Sequence, residues 1–522
     1  MSYIPTMTEI ELKFVLDEDG VRRLKGRMKA LGLNRHAPRT RSLHSIYYDT
    51  ADHALRRAGI ALRLRKDGRR WVQTVKAGAT INGGLLRARE VETPAAGGRL
   101  DLMNIPVQAV RAEVEEAIGG AELSPVCETR MKRAASLLEL DGGARVELSI
   151  DTGEIVAGGL SEPFSEAELE LFEGDLDALY DLTQTLFPEG GLHLSTIAKS
   201  TRGYMLAETG RIETDPQPRT AREVPLDDEM TSEIAARDVL RECFEQIAAN
   251  VDVVLSTDAP EGPHQLRIGL RRLRAAFGIF RPVIGHPEMA RLNTAAREVG
   301  ARVGALRDLD VVIADIIAPE FEAHPHEQGF AALRAAIEAR RETVRATLRD
   351  YLRSAEVQSF QIDLARFIET RRWLTPEDFE QTARLARPIR SHADNALAKR
   401  WKSCVKHARG IDHLTVGERH ELRKELKKLR YSIEFLGPLY SPKKVARFVK
   451  RLKKLQTIFG DLNDLAMAEH LLCQADSPGA QDADAQRAVG RLLGARSATA
   501  ESAWSHAKAL WHGVVETGPF WT

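Results

Sequence analysis

Glu9-Ile10-Glu11-Leu12-Lys13 sets two carboxylates and an ammonium at alternate positions, and Glu168-Leu169-Glu170 repeats the carboxylate pair further along. On a strand, Glu9, Glu11 and Lys13 share one face, while Ile10, Leu12 and Phe14 share the other. The same alternation recurs with either sign. Arg63 and Arg65 alternate with Leu62 and Leu64, Arg130 and Lys132 stand in phase, and Glu147, Ser149 and Asp151 alternate with Val146, Leu148 and Ile150. Carboxylate pairs suit hard cations such as Mg2+ or Mn2+. Arg and Lys pairs suit phosphate oxygens. One such strand could simply expose a polar face to water. Solvated faces, however, mix Thr, Ser, Gln and Lys, whereas these strands are polarised by sign. A closed barrel with a charged lumen accounts for them better.

A second set of cations is duplicated. His264-Gln265-Leu266-Arg267 returns as His420-Glu421-Leu422-Arg423, 156 positions later. Counted from each His, cations stand at +3 (Arg267, Arg423), +7 (Arg271, Lys427), +10 (Arg274, Arg430) and +33 (Arg297, Lys453). Apolar residues stand at +2, +6, +9, +13 and +16 in both copies, and Leu306-Arg307-Asp308-Leu309 matches Leu462-Asn463-Asp464-Leu465. On a helix, the His and the first three cations fall within an arc of about 80°. The apolar positions form a separate stripe. Each copy therefore predicts a helix that buries one side and offers a cationic rail on another. An ordinary solvated face mixes signs; these rails are all cation plus His, so an anionic partner would relieve their mutual repulsion. Copies kept in register over this distance argue for two similar structural units.

These groups need elements to position them. Period-two stretches at Glu9–Val15, Ser45–Tyr48, Ile60–Arg65, Trp71–Lys76, Leu85–Glu92, Arg145–Asp151 and Glu166–Phe172 are separated by turn signals such as Asn82-Gly83-Gly84. Helical patterns fall near Asp19–Leu31, Asn104–Ile118 and Leu176–Phe187. Residues 209–227, with Asp-Pro-Gln-Pro, read as a linker, and helical periodicity dominates from Asp228 onward. The expectation is an α+β domain over 1–208 and an all-α domain over 228–520, in two halves of about 228–370 and 377–520.

Composition narrows the function classes. Lys+Arg and Asp+Glu each number 75, so the net charge is zero. A protein that coats nucleic acid nonspecifically is disfavoured, and local anion sites are favoured. Residues 1–100 hold 20 basic and 10 acidic side chains, whereas residues 101–208 hold 7 and 21. Cys127, Cys243, Cys404 and Cys473 are scattered, which argues against a disulfide framework or zinc site and fits a reducing cytoplasm. Met1–Lys13 shows no basic region followed by an apolar one, and no apolar run approaches about 20 residues, so no membrane partner is expected.

The first 200 residues resemble the CYTH domain of the triphosphate tunnel metalloenzymes. Glu9-x-Glu11-x-Lys13, Tyr47-Tyr48-Asp49-Thr50, Gly59–Arg65, Arg89–Glu92, Val146–Glu154, Glu168-Leu169-Glu170 and Lys199–Tyr204 carry the resemblance in the family's order. It implies an eight-stranded antiparallel β-tunnel that holds a divalent metal, Mg2+ or Mn2+, and a linear triphosphate. Position by position, it implies that Glu9, Glu11, Glu168 and Glu170 bind metal and act in catalysis together with Lys13, and Asp151 is placed with the metal ligands. Lys13, Arg63, Arg65, Lys76, Arg130, Lys132, Lys199 and Arg202 match the basic positions that grip phosphates. Glu90, Glu92 and Glu147 lie in matching motifs whose orientation stays open. Asp49 and Thr50 are expected to shape a turn. Arg133 replaces an aromatic common in relatives, with an expected effect on packing more than on catalysis.

The helical part resembles the CHAD family, through the His264 and His420 segments, Arg307–Val311 and Leu455–Asp464. That resemblance implies two four-helix bundles around a basic groove that binds inorganic polyphosphate. The implied contacts are His264, Arg267, Arg271, Arg274, Arg297, His420, Arg423, Lys427, Arg430 and Lys453. A linear cationic rail suits a linear polyanion. Nucleic-acid bases would need aromatic platforms, and no aromatic interleaves the rails. The two His are not at metal-ligand spacing, and either phosphate or a neighbouring helix can take their hydrogen bonds. Together these readings predict a metal-dependent inorganic triphosphatase with a polyphosphate-binding helical domain, located in the cytoplasm with polyphosphate granules. The alternatives are a non-catalytic polyphosphate-binding protein, a hydrolase of thiamine triphosphate or nucleotides, and an adenylate cyclase.

Overall fold

Alternation of charged and aliphatic residues resolves into eight antiparallel strands: β1 Met7–Val15, β2 Arg39–Asp49, β3 Ile60–Asp67, β4 Arg70–Asn82, β5 Leu85–Pro94, β6 Ser124–Glu139, β7 Arg145–Ala157 and β8 Leu160–Glu173. The computed structural model describes residues 7–33, 37–190, 192–195, 197–212 and 216–521; the side chains of Met7, Asn463 and Thr499 lie outside that description. The strand order is β5-β4-β3-β2-β6-β7-β8-β1, and β5 pairs with β1, which closes the barrel. Closure sets Glu11 opposite both Leu86 of β5 and Glu170 of β8, and Lys13 opposite Glu168.

The aliphatic positions turn outward, where helices cover them. Leu62, Val75 and Val91 pack with Val110, Val114 and Ile118 of the helix Gln108–Ile118. Phe14 of β1 meets Phe187, which follows the helix Asp177–Leu186, at 5.4 Å between ring centroids. The charged positions turn inward. The helix Lys199–Thr209 packs on β6 and β7. Its Gly203 makes this approach possible, because a Cβ there would lie 2.2 Å from the Cys127 sulfur. Asp49 accepts from the backbone N–H groups of Thr50 (2.7 Å), Leu55 (2.9 Å) and Arg56 (3.0 Å) and from the Tyr204 hydroxyl (2.6 Å). Asp49 thus fixes the β2 turn to the helix that carries Lys199.

From Ser232 the chain is helical. The principal helices are Ser232–Ser256, Glu261–Ile284, Pro287–Val311, Gln328–Leu352, Ala355–Glu369, Ile389–His407, Val416–Leu436, Pro442–Leu472 and Ala483–Thr517. The two His segments lie on Glu261–Ile284 and Val416–Leu436, and all ten apolar repeat positions on those helices are buried. These two helices pack on each other, as do the equivalent pair Gln328–Leu352 and Ala483–Thr517. Like elements meet like, which is the contact pattern a tandem duplication produces. A π-turn, Val312–Ile317, continues Pro287–Val311.

The chain divides into two compact units: Met1–Asp215 with Arg353–Arg366, and Pro216–Leu352 with Phe367–Thr522. Within the first unit, Arg366 bonds Asp177 and Asp181 (both 2.6 Å), Gln184 bonds Asp363 (2.7 Å), and Gln358 bonds the Phe187 carbonyl (2.6 Å). Within the second, part of the segment read as a linker packs on the first helix: Arg219 pairs with Glu242 (2.7 Å), and Val224 and Leu226 are buried. Residues 213–215 of that segment lie outside the described residues. No helix among the described residues is long and apolar enough to cross a membrane.

Candidate active tunnel and candidate anion groove

The barrel encloses a cavity of about 520 Å³. Seven carboxylates (Glu9, Glu11, Glu90, Glu92, Glu147, Glu168 and Glu170) and eight cations (Lys13, Arg41, Arg56, Arg63, Arg65, Lys76, Arg133 and Lys199) line it. Strand alternation explains their common direction, since the charged i, i+2 sets of β1, β3 and β8 each lie on the inner face.

The acids and bases are interlocked. Lys13 pairs with Glu11 (2.8 Å) and Glu168 (2.9 Å), Lys76 with Glu9 (2.5 Å), Arg63 with Glu90 (3.3 Å) and Arg65 with Glu92 (2.6 Å). Lys199 reaches Glu168 (2.7 Å), Glu166 (2.8 Å) and Asp151 (3.0 Å). Burial opposes the charge on Glu168, but Lys13, Lys199 and Arg133 overcome it and hold the carboxyl well below its ordinary range. Glu170 behaves in the opposite way. It has no ion pair among the described residues, and burial followed by the charges of Glu9 and Glu11 pushes its carboxyl up to about 8. Burial likewise raises the Glu11 carboxyl, with Lys13 opposing the rise.

Most sequence-predicted tunnel residues meet here, and four lie elsewhere. Arg130 and Lys132 are exposed on the outer face of β6, where Arg130 pairs with Glu128 (3.1 Å). Arg133, expected to act in packing, enters the lumen instead, with bonds of 2.8 and 2.7 Å to Asp151 and 2.5 Å to Glu168. The reason is register: Arg133 is the Cα partner of Asp151 on β7, so it shares that residue's inward face. Arg202 turns to Glu166 (2.9 Å) and does not line the cavity. Asp151 is fully buried behind the wall, shared by Arg133 and Lys199, rather than on the cavity surface. Glu90, Glu92 and Glu147 do face inward. Arg41 and Arg56 were not singled out from sequence: Arg41 stands in phase with Arg39 on β2, a pair that could have marked it, whereas Arg56 lies on the short helix Ala54–Arg57, outside any strand alternation.

The donor set suits a hard divalent cation in kind, because adjacent strands β1 and β8 carry carboxylates on their inner faces and Glu170 has no ion pair among the described residues. Among the described residues no three acids are already gathered into a metal cluster, since lysines stand between them. A polyanion that took over Lys13, Lys76 and Lys199 would leave those carboxylates needing a cation.

The helical unit holds a cavity of about 790 Å³ with a different charge balance. His264, Arg267, Arg271 and Arg274 from one repeat and His420, Arg423 and Lys427 from the other line it together. Arg307, Arg400, Lys424 and Lys428 add to them, against only Asp308, Asp315 and Asp464. Arg267 donates to Asp308 (2.6 Å). Burial, then the charges of Arg271, Arg423, Arg267 and Arg430, lower the Lys427 amine to about 7. Burial and Arg307 lower the His264 imidazole. Three predicted members stand outside the lining. Arg297 acts on Arg274 through space, Arg430 reaches Gln456 (3.4 Å), and Lys453 is exposed.

Comparison with known proteins agrees with both halves. The CYTH domain model matches residues 7–204, and the CHAD domain model matches residues 238–473. The chain carries a CYTH domain followed by a CHAD domain. An inorganic triphosphatase of Haemophilus influenzae is 30% identical over 166 residues, 31% of this chain and 46% of that protein. The CYTH–CHAD chain thus spans about half the length of that relative. An uncharacterized protein of Mycobacterium tuberculosis is 24% identical over 497 residues, 90% of this chain and 88% of its own. Among solved structures, the CHAD domain from the plant Ricinus communis is 26% identical, with a TM-score of 0.49, covering 57% of this chain and 96% of that one. PptA from Streptomyces chartreusis is 13% identical, with a TM-score of 0.42, covering 54% and 100%.

Proposed function

We propose that the CYTH tunnel hydrolyses a phosphoanhydride bond of inorganic triphosphate, giving phosphate and pyrophosphate, and that the CHAD unit binds inorganic polyphosphate. The observation that carries this reading is the charge balance of the tunnel wall. Eight cations against seven carboxylates leave it almost neutral, yet the cations are placed all round the lumen. A linear triphosphate brings several negative charges into that space. Lys13, Arg63, Arg65, Lys76, Arg133 and Lys199 bind its oxygens, which releases their carboxylate partners. Glu9, Glu11, Glu168 and Glu170 would then hold Mg2+ or Mn2+. Bound there, the ion supplies Lewis-acid stabilisation of charge developing on the phosphoryl oxygens. Glu147, which accepts from Ser149 (3.2 Å) and faces the cavity, can orient water. The likeness to a Haemophilus influenzae inorganic triphosphatase supports the same substrate class.

The groove differs in kind. Its excess of cations over acids needs no added metal to hold a polyanion, and the two repeats together line one cavity with more cations than a short phosphate requires. Phosphate release from triphosphate, long polyphosphate, ATP and thiamine triphosphate, each with and without Mg2+ or Mn2+, tests the reading. Metal-dependent release greatest on triphosphate supports it; absence of release from all four removes the catalytic reading and leaves a binding protein.

A further inference from the structure

Lys427 stands at a repeat position that its counterpart fills with a guanidinium, Arg271. It is half-buried and lines the groove. Its neighbours on the same helix are ordinary paired lysines: Lys424 stands 2.6 Å from Glu421, and Lys428 stands 2.5 Å from Glu425. Lys427 has no ion pair among the described residues. The charges that face it are Arg267 and Arg271 from the first repeat helix and Arg423 and Arg430 from its own. We propose that Lys427 is a site of covalent acylation by acyl phosphates, whose phosphate the surrounding guanidiniums dock while the amine attacks the acyl carbon.

Three observations carry the proposal. The guanidinium set matches phosphate oxygens in pairs, and a cavity of about 790 Å³ has room for a small acyl donor. Asp308, Asp315 and Asp464 line the same cavity, but among the described residues none of them is ion-paired with the amine. Burial and four like charges favour its neutral, nucleophilic form near neutral pH. In the step itself, the Nζ lone pair forms a C–N bond to the acyl carbon as the C–O bond to phosphate breaks. Inorganic phosphate leaves, and the amine proton passes to it through solvent. The product is a neutral amide in the middle of the rail, which removes a cation that a polyanion would contact. The proposal needs an anion-docking groove and does not rest on which polyanion the groove holds.

The test treats the full chain with acetyl phosphate near pH 7 and maps acetylated lysines by peptide mass spectrometry over time. Lys427 should react at least about tenfold faster than Lys424 or Lys428, because those two amines are engaged by Glu421 and Glu425 whereas Lys427 has no ion pair among the described residues and stands beside the guanidiniums that dock the phosphate. Excess inorganic phosphate should suppress that preference, and Arg271→Gln should reduce it while leaving Lys424 and Lys428 unchanged. Lys427→Arg, which keeps the fold and the charge, should abolish the fast-reacting site. Equal rates at the three lysines, or a Lys427 preference that survives saturating inorganic phosphate, overturns the proposal.

Discussion

Glu11 and Glu170 are Cα partners on β1 and β8, so two carboxylates face the lumen side by side with only one lysine, Lys13, bonded to the pair. Burial, followed by repulsion from Glu9 and then Glu11, pushes the Glu170 carboxyl up to about 8. Its ordinary value is 4.5, so the stability linked to that proton is complete below 4.5 and is lost as pH rises through about 8. Glu170→Gln should therefore melt at a higher temperature than the wild type above pH 8 without divalent metal. The difference should vanish below pH 4.5. Calorimetry across that range checks it, and equal pH profiles would exclude a buried proton on Glu170.

Glu11→Gln keeps the shape of the side chain and removes one donor of the acidic wall. We expect metal-dependent triphosphate hydrolysis to fall by about 100-fold or more, the order seen when one preorganised charge-stabilising group is lost. Circular dichroism should show the fold retained. Chelation of divalent metal should silence the wild type to a similar degree, and Mg2+ or Mn2+ should restore it. Unchanged turnover in Glu11→Gln at saturating metal would remove this carboxylate from the site.

Arg133 separates the two faces of β6. Removing it leaves Asp151, which is fully buried, paired with Lys199 alone, and takes from Glu168 one of its three cations. Arg133→Ala should cost about 3 kcal/mol, the scale for breaking a buried pair from one side. Arg130→Ala and Lys132→Ala, on the exposed face, should each change stability by less than about 0.5 kcal/mol. Urea unfolding of the three variants decides which cation belongs to the lumen.

The same strand shows where sequence alone runs out. Arg130, Lys132 and Arg133 occupy a run in which one phase sets two cations on a common face and the other sets Arg133 alone, and the paired phase is the one that faces out. A one-residue slip moves every side chain across the sheet, and only the pairing of Arg133 with Asp151 settles it. Where charge alternated with aliphatics over five or more residues, as in β1, β3, β7 and β8, the inward face was legible. The duplicated helices were legible for the same reason: their stripes differ in both charge and polarity. Lone contributors such as Arg56 and Arg400 were not, because no periodicity marks a residue that reaches a cavity by itself.

Charge reversal in either repeat should disable the groove, because both repeats line one cavity. Arg271→Glu or Lys427→Glu should weaken long-polyphosphate binding by at least about tenfold, one rail contact being worth more than about 1.4 kcal/mol in this cluster. Binding should also weaken steeply with salt, since each contact releases a counterion. The pH dependence has a definite sign. A bound polyanion favours the charged form of Lys427, so affinity should rise as pH falls through about 7. Lys427→Arg should flatten that slope. Titration calorimetry at several pH values and salt concentrations measures all three, and a salt-independent affinity would count against the groove.

The packing of Arg353–Arg366 in the first compact unit shapes how the two activities can be separated. Gly190 bridges Ser354 with φ of 88°, and a Cβ on it would lie 2.6 Å from the backbone of Arg353 and Ala355. Gly190→Ala should thus strain this docking twice over, by conformation and by contact, and destabilise the first unit by about 1–3 kcal/mol. Residues 1–208 alone lack the docked segment and should melt earlier than the first unit in the full chain. They retain every lining residue of the tunnel, so they should still cleave short triphosphate while binding long polyphosphate poorly. Residues 216–522 keep the Arg219–Glu242 pair and the whole groove, and should bind long polyphosphate without cleaving it. Phosphate release and polyphosphate retention, measured on both fragments and on the full chain, test the division of labour. Cleavage by the helical fragment, or tight long-chain binding by the tunnel fragment, would show that the charge balance of the two cavities does not set their roles.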